Sequence, residues 1–456
     1  MSAAVLLGCA SFQLLAQTVG AVDVSESPVQ LATPSGSSAP PVTITLRDAI
    51  GRARRVDAQT LSAAADTKIA HDERTVARAG LLPNISYSTQ YLGTQGNGVT
   101  PNGRYVTNDG VHVYRAWGVL HQDISANTFM ATSYRRADAA EAQARAKAEI
   151  AQRGLVVTVT RTYYELVVAQ RKYAGAQQNA EEAKRFLDMT QSAERLRQVA
   201  HSDVVKSDIQ YQQQQQSFED ASLALENARL NLAVLVSPTV NENFTVTDDL
   251  DSAAPLAPFA EVKSLAAQHN PDVRVAAAAL RQADLDVTAS KTAFFPSVSL
   301  DTNYGIEANS FALRSVNKAF PERGRLPNLG YFVTANLVLP VWNWGSLSSK
   351  LHESQVHREQ ARVELTQAQR QALSTLYAAY NEAAVAHEAT VRFGHTADLA
   401  AESLRLVNLR YRAGTSTALE VVDAQNTAIQ ARNAFYDAQA RYRVALATLD
   451  TLTGNY

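Results

Sequence analysis

Few side chains in this sequence are spaced for covalent chemistry. Ser202 and Lys206 could serve as nucleophile and base, but they stand four positions apart rather than the three of a Ser-x-x-Lys site. No Gly-x-Ser-x-Gly, His-Glu-x-x-His or Gly-x-x-x-x-Gly-Lys segment occurs. His352 and His357 are five apart, so a helix would not turn them to the same face. Asp248, Asp249 and Asp251 could hold calcium, although an acidic, solvated linker is the simpler reading. Glu420 and Asp423, three apart, do share a helical face, and acids are favoured near a helix N-terminus in any case. No catalysis, cofactor or metal centre is expected.

The composition points to long helices instead. Aromatic residues make up 7% of the 456 residues and methionine numbers only 3, while Ala, Gln, Leu and Arg dominate the long middle stretches. Basic and acidic residues, 42 against 44, are interspersed, which leaves no electrostatic footprint for nucleic acid. The single cysteine, Cys9, excludes an intrachain disulfide framework. After residue 22 no run of 18 apolar residues appears, so no ordinary transmembrane helix is expected there.

Residues 1–21 read as a secretory signal with a small-residue cleavage site at Val19-Gly20-Ala21, followed by a flexible lead-in over 22–44 rich in Pro, Ser and Gly. Leu6-Leu7-Gly8-Cys9 admits a second reading, a lipoprotein box that would acylate Cys9.

The rest of the chain repeats itself. Moved forward by 217 positions, residues 119–237 fall without a gap on 336–454, so that Leu120 meets Leu337, Tyr163 meets Tyr380, Glu165 meets Glu382 and Leu232 meets Leu449. Upstream the shift is 213, where Leu82-Pro83-Asn84-Ile85-Ser86 overlays Phe295-Pro296-Ser297-Val298-Ser299. Repeat 1 covers 45–237, a linker 238–258, and repeat 2 259–456, and each half should build the same substructure.

Within each half, an Ala-rich helix stops at Pro83 or Pro296, because proline cannot continue a helix and pushes its predecessor towards extended geometry. Period-two alternation follows: Ile85, Tyr87, Thr89 and Tyr91 in one half, Val298, Leu300, Thr302 and Tyr304 in the other. Strands are expected at about 84–92, 115–124, 297–305 and 331–341, joined by loops over 93–112 and 305–329. Helix formers then run from about Asn127 to Arg195 and from Gly345 to Arg410, a length of roughly 100 Å each at 1.5 Å per residue. Returning helices, Asp203 to Val236 and Ala418 to Leu452, follow tight turns near 197–202 and 411–417.

Four strands with one apolar and one polar face cannot close a sheet. Lipid outside and water inside would satisfy both faces of a membrane barrel, and three copies of the chain would supply twelve strands. A small β-sandwich packed on a helix remains the other reading. Phe294, Phe295, Trp342, Trp344 and Trp117, in or beside the strands, are the candidates for bilayer-interface aromatics.

The order of motifs is similar to that of a known family. The helix ending in Leu/Phe-Pro, the strand pair, Leu120-x-Gln122-x-Ile124, Leu339-Pro-Val-Trp-Asn-Trp-Gly345, the long helix, Arg410-Tyr-Arg-Ala-Gly414 and Leu419-Glu-Val-Val-Asp-Ala424 together resemble TolC-type outer membrane efflux proteins over about Leu46 to Gly454. The resemblance implies a mainly helical homotrimer with membrane β-structure: a twelve-stranded β-barrel in the cell outer membrane continuous with a twelve-helix α-barrel across the periplasm. It also implies a periplasmic adaptor and an inner-membrane RND or ABC transporter as partners, and a passive exit duct for efflux or type I secretion. By the same resemblance the periplasmic gate falls on Glu420, Asp423, Asp203, Tyr411, Ser416 and Gly414. Glu420 and Asp423 would form stacked carboxylate rings, and Tyr411 and Asp203 would join neighbouring helix pairs. Ser416 departs from the family's best-studied branch, which has an arginine there, so no salt-bridged lock is expected at that position. The alternative function is a periplasmic structural or adaptor coiled-coil protein without a pore.

Overall fold

The computed structural model describes residues 42–93, 112–197, 199–238, 244–308, 310–316 and 321–454. The signal and lead-in up to residue 41, Cys9, and most of the first inter-strand loop lie outside the described residues.

A short strand β1 (Val42–Ile44) leads into helices α1 (Leu46–Val56) and α2 (Ala58–Ala79), then strands β2 (Asn84–Gly93) and β3 (His112–Asp123). One turn, α3 (Ala126–Phe129), precedes the long helix α4 (Thr132–Arg195) and its return α5 (His201–Val236). After strand β4 (Phe244–Val246) the order recurs: α6 (Phe259–His269), α7 (Pro271–Thr292), β5 (Ser297–Ala308), a small hairpin β6 (Arg314–Val316) and β7 (Arg325–Pro327), β8 (Leu329–Val338), α8 (Ser346–Arg412) and α9 (Ala418–Thr453). Moving α1 and α2 by 213 positions lands on α6 and α7 end for end, and moving α5 by 217 lands on α9. With 64 and 67 residues, α4 and α8 are each about 100 Å long.

The strands form one antiparallel sheet in the order β2-β3-β5-β8. β2 and β8 have no further strand partner among the described residues, so both edges of the sheet are free.

The long helices pack in antiparallel pairs, α4 with α5 and α8 with α9. Away from the waist their buried positions are largely alanines, among them Ala180, Ala183, Ala386, Ala389, Ala428 and Ala431, which let helix axes come close. Larger side chains gather at the waist. Ile44, Tyr163, Tyr164, Leu166, Leu232, Phe244, Val246 and Leu250 make the main core where α1, β1 and β4 lie on α4 and α5. A smaller counterpart sets Val262 and Ala266 of α6 against Leu376, Ala383 and Leu449.

Several expectations need correction. Residues 42–44 are not a flexible lead-in: they form β1, which pairs in parallel with β4 inside the segment read as a linker, because Ile44, Phe244 and Val246 all have a core to enter. Thr45 then caps α1 in a reciprocal box with Asp48. The helix expected from Asn127 is broken at Ala131, whose φ of 50° is left-handed. β8 ends at Val338, short of the expected 341, since Pro340 cannot donate to the ladder. The loop expected over 305–329 contains the end of β5 and the β6/β7 hairpin, clasped by Asn328, which donates to the Ala312 carbonyl at 2.7 Å.

Candidate functional site

The turn between α8 and α9 assembles most of the expected gate residues. Gly414, at φ 73°, reverses the chain: its N–H donates to the Tyr411 carbonyl and that of Thr415 to the Arg410 carbonyl. A left-handed φ costs an L-residue about 1–2 kcal/mol, which glycine avoids. Thr417 caps α9, its hydroxyl accepting from the Glu420 N–H at 3.3 Å. Ser416 Oγ donates to Glu420 Oε2 at 2.7 Å, and Arg410 lies 3.7 Å from the same oxygen. The Ser416 hydrogen bond is the chief cause that holds the Glu420 carboxyl below its ordinary value, with smaller help from Thr417 and Arg410 against burial. An ion pair therefore does bridge this turn, from Arg410 rather than from position 416. The Thr417-x-x-Glu420 spacing is itself a helix-start signal for Thr417, whereas nothing in the sequence marks Arg410 beyond its closeness to Gly414.

Asp423 is exposed one turn beyond Glu420, with its side chain on the same face of α9. Tyr411 packs on Phe186 of α4, ring centroids 5.3 Å apart, inside a small apolar cluster with Ala418 and Val421. Burial, and then the charge of Asp203, push its phenol up. Tyr411 and Asp203 are thus neighbours within one chain, and the gate candidates from both turns share one end of the molecule.

The turn between α4 and α5 is built differently. Arg197 stands where Gly414 stands in the second turn and takes the same left-handed conformation, φ 59°. His201 Nδ1 lies 2.7 Å from Glu194 Oε1 across this turn.

At the waist, the acidic residues read as a solvated linker are gripped. Arg171 of α4 makes paired hydrogen bonds to Asp248, at 2.6 and 2.8 Å, and to Asp251, at 2.6 and 3.2 Å. Gln439 of α9 donates to Asp251 at 2.8 Å, and Arg443 reaches the Asp249 carbonyl and the Ser252 hydroxyl. The clamp joins the linker to one helix of each half. Sequence reading missed it because the partners lie 77 to 194 positions apart.

The sheet has two chemically distinct faces. Ile85, Tyr87, Tyr91, Leu120, Tyr304, Ile306, Tyr331, Val333 and Leu337 alternate onto one face, and the outermost are bare, Ile85 79% and Tyr331 77% exposed. Arg115, His121, Asp301, Glu307 and Asn336 lie on the other, joined by Arg115–Glu307 at 2.9 Å and His121–Asp301 at 2.6 Å. Phe294, Phe295, Trp342 and Trp344 stand exposed where sheet meets helices, the two indoles edge to face at 5.6 Å. Phe129 of α3 joins this belt unanticipated. Trp117 does not belong with them: its register places it on the polar face between Arg115 and His121, because its parity along β3 is theirs.

Among the described residues no cluster of three metal-ligating side chains occurs, and no helix is long and apolar enough to cross a membrane. His357 faces Glu353 at 3.8 Å, one turn away, rather than His352.

Comparison with known proteins agrees with this architecture. The profile of the family described as outer membrane efflux protein matches residues 262–455. The pyoverdine export outer membrane protein OpmQ of Pseudomonas putida is 24% identical over 292 residues, 63% of this chain and 58% of its own length, so the chain spans under two thirds of that relative. Outer membrane protein TolC of Escherichia coli is 22% identical over 419 residues, 88% of this chain and 80% of its own. The Campylobacter jejuni CmeC outer membrane channel superposes with a TM-score of 0.76 at 17% identity, covering 90% of this chain and 85% of that one. The chain is thus similar to outer membrane efflux proteins, by family profile over residues 262–455 and by fold over 90% of its length.

Proposed function

We propose that the protein is the outer membrane channel of a tripartite efflux or type I secretion system, a passive exit duct for small molecules or proteins driven by an inner-membrane pump. One observation carries this reading: a four-stranded sheet with two free edges, apolar on one face and charged on the other, continues directly into helices about 100 Å long. Lipid satisfies the first face and a water-filled lumen the second, and edge strands exposed to lipid are not tolerated. Pairing β8 of one copy with β2 of the next closes the edges, and three copies of the four-stranded sheet make a twelve-stranded barrel. The helix pairs of the same three copies form a periplasmic tunnel of twelve helices. Phe294, Phe295, Trp342 and Trp344 anchor the periplasmic boundary of the bilayer.

In this arrangement Glu420 and Asp423, repeated three times, ring the far end of the tunnel as the gate, with Tyr411, Asp203, Gly414 and Ser416 shaping its turns. A periplasmic adaptor and an RND or ABC transporter dock at that end and supply the energy. Conductance across a planar bilayer tests the proposal. Trimeric protein extracted only by detergent and conducting ions supports it, whereas release in a soluble fraction without conductance favours the structural coiled-coil alternative.

A further inference from the structure

The polar face of the sheet holds two aromatic rings that neither core packing nor a lipid boundary accounts for. Trp117 of β3 and Phe332 of β8 are separated by the whole of β5, yet their ring centroids lie 5.0 Å apart at 86°. They meet above Gly305, the residue paired with Trp117, which is itself paired with Gly330. A side chain at 305 is impossible, since its Cβ would overlap the Ala116 carbonyl oxygen. At Gly330 a Cβ would meet open space. The two rings, themselves partly exposed, cover Gly305, which is buried, and leave Gly330 exposed beside them.

The ring faces, rather than the neighbouring charges, select the sign of charge. On this face Glu307 is paired with Arg115 and Asp301 with His121, so the strand charges beside the rings largely offset one another. Indole and phenyl faces attract cations through the ring quadrupole. Two partly exposed rings beside an open glycine match a planar aromatic cation better than an anion or a bulky aliphatic molecule.

We propose that Trp117 and Phe332, with the open space at Gly330 beside them, form a binding site for planar aromatic cations in the lumen of the barrel. The lumenal placement rests on the channel reading above. Three copies in a trimer would set three such sites at one height.

The test is planar-bilayer recording of the detergent-solubilised full-length protein, with ethidium as the planar aromatic cation and tetraethylammonium as a non-aromatic one. Wild-type conductance should fall saturably with ethidium, and both Trp117→Leu and Gly330→Leu should raise the half-blocking concentration about fivefold or more. Tetraethylammonium should act equally on all three proteins. Gly330→Leu fills the space beside the rings while keeping both of them, so it carries the test should Trp117→Leu not assemble. A conducting wild type that ethidium leaves unblocked, or blocks as strongly as both variants, overturns the site while leaving the channel standing. A wild type that conducts nothing overturns the channel reading and the site with it.

Discussion

Tyr163 and Tyr380 make the same hydrogen bond in the two halves of the chain. The Tyr163 hydroxyl donates to the Ile44 carbonyl at 3.3 Å and the Tyr380 hydroxyl to the Ala257 carbonyl at 3.2 Å, each the carbonyl that enters a short helix. The bond docks α1 and α6 on their long helices. The surroundings differ, because Tyr163 is fully buried and shares its proton with the Thr247 carbonyl at 2.7 Å, whereas Tyr380 reaches solvent.

Removing the two hydroxyls should therefore have unequal effects. Tyr163→Phe removes the buried donor to the Thr247 carbonyl, while the Ile44 carbonyl keeps the Thr247 N–H, and should cost about 1–2 kcal/mol; Tyr380→Phe, whose carbonyl can turn to water, should cost under about 1 kcal/mol. Guanidinium unfolding of the solubilised protein measures both. Burial, reinforced by the charge of Asp249, pushes the Tyr163 phenol up to about 12. Since its folded value is the higher, its contribution is complete below about pH 10 and is lost as pH rises towards 12. Tyr163→Phe should remove that part of the alkaline loss.

Arg197 and Gly414 present a second pairing of unequal residues, both left-handed in matching turns. Arginine there carries about 1–2 kcal/mol of backbone strain, and glycine would relieve it at an entropic cost of about 0.5–1 kcal/mol. Arg197→Gly should thus leave stability unchanged or raise it by up to about 1 kcal/mol, and Gly414→Ala should lower it by about 1 kcal/mol. Unfolding midpoints give the answer; a large loss for Arg197→Gly would mean that its side chain, not its backbone, shapes the first turn.

The helices and strands were legible because their signals are local. Pro83 and Pro296 mark where helix becomes strand, and the alternation after them fixes which residues share a face. What escaped depends on contacts distant in sequence. Three residues of β1 and three of β4 are too short for a period to show, and only the core that receives Ile44 and Phe244 makes them strands. Asp248 and Asp251 read as solvated acids until Arg171 is placed beside them. Residue type alone puts Trp117 among the interface aromatics, although the alternation sets it in step with Arg115 and His121.

The Arg171 clamp gives the acid side of the stability profile. The Arg171 hydrogen bonds hold the Asp251 carboxyl below its ordinary value, against some burial and with help from Gln439. A depressed folded value means that the contribution is present above about pH 4 and is lost as pH falls through it. Arg171→Met should cost about 1–2 kcal/mol at neutral pH, moderated because both aspartates remain partly exposed. It should also flatten the stability loss below about pH 4. An unchanged acid profile would show that the clamp is geometric and not ionic.

At the proposed gate, Ser416 controls when Glu420 carries charge. Its hydroxyl is the strongest of the groups that favour the carboxylate, so Ser416→Ala should move the Glu420 carboxyl back towards the ordinary value of about 4.3. At pH 7 the residue is ionised in either protein, and block of the channel by a trivalent cation should be the same. As pH falls, protonation of Glu420 weakens the block, and it should do so at a higher pH in Ser416→Ala than in the wild type. Glu420→Gln should weaken the block at neutral pH, and Asp423→Asn should do the same through the second ring of carboxylates. Single-channel recordings from pH 7 down to about 3 follow the protonation of Glu420. If Glu420→Gln conducts and is blocked like the wild type, the carboxylate does not face the lumen, and its bonds to Ser416 and Thr417 serve only to start α9.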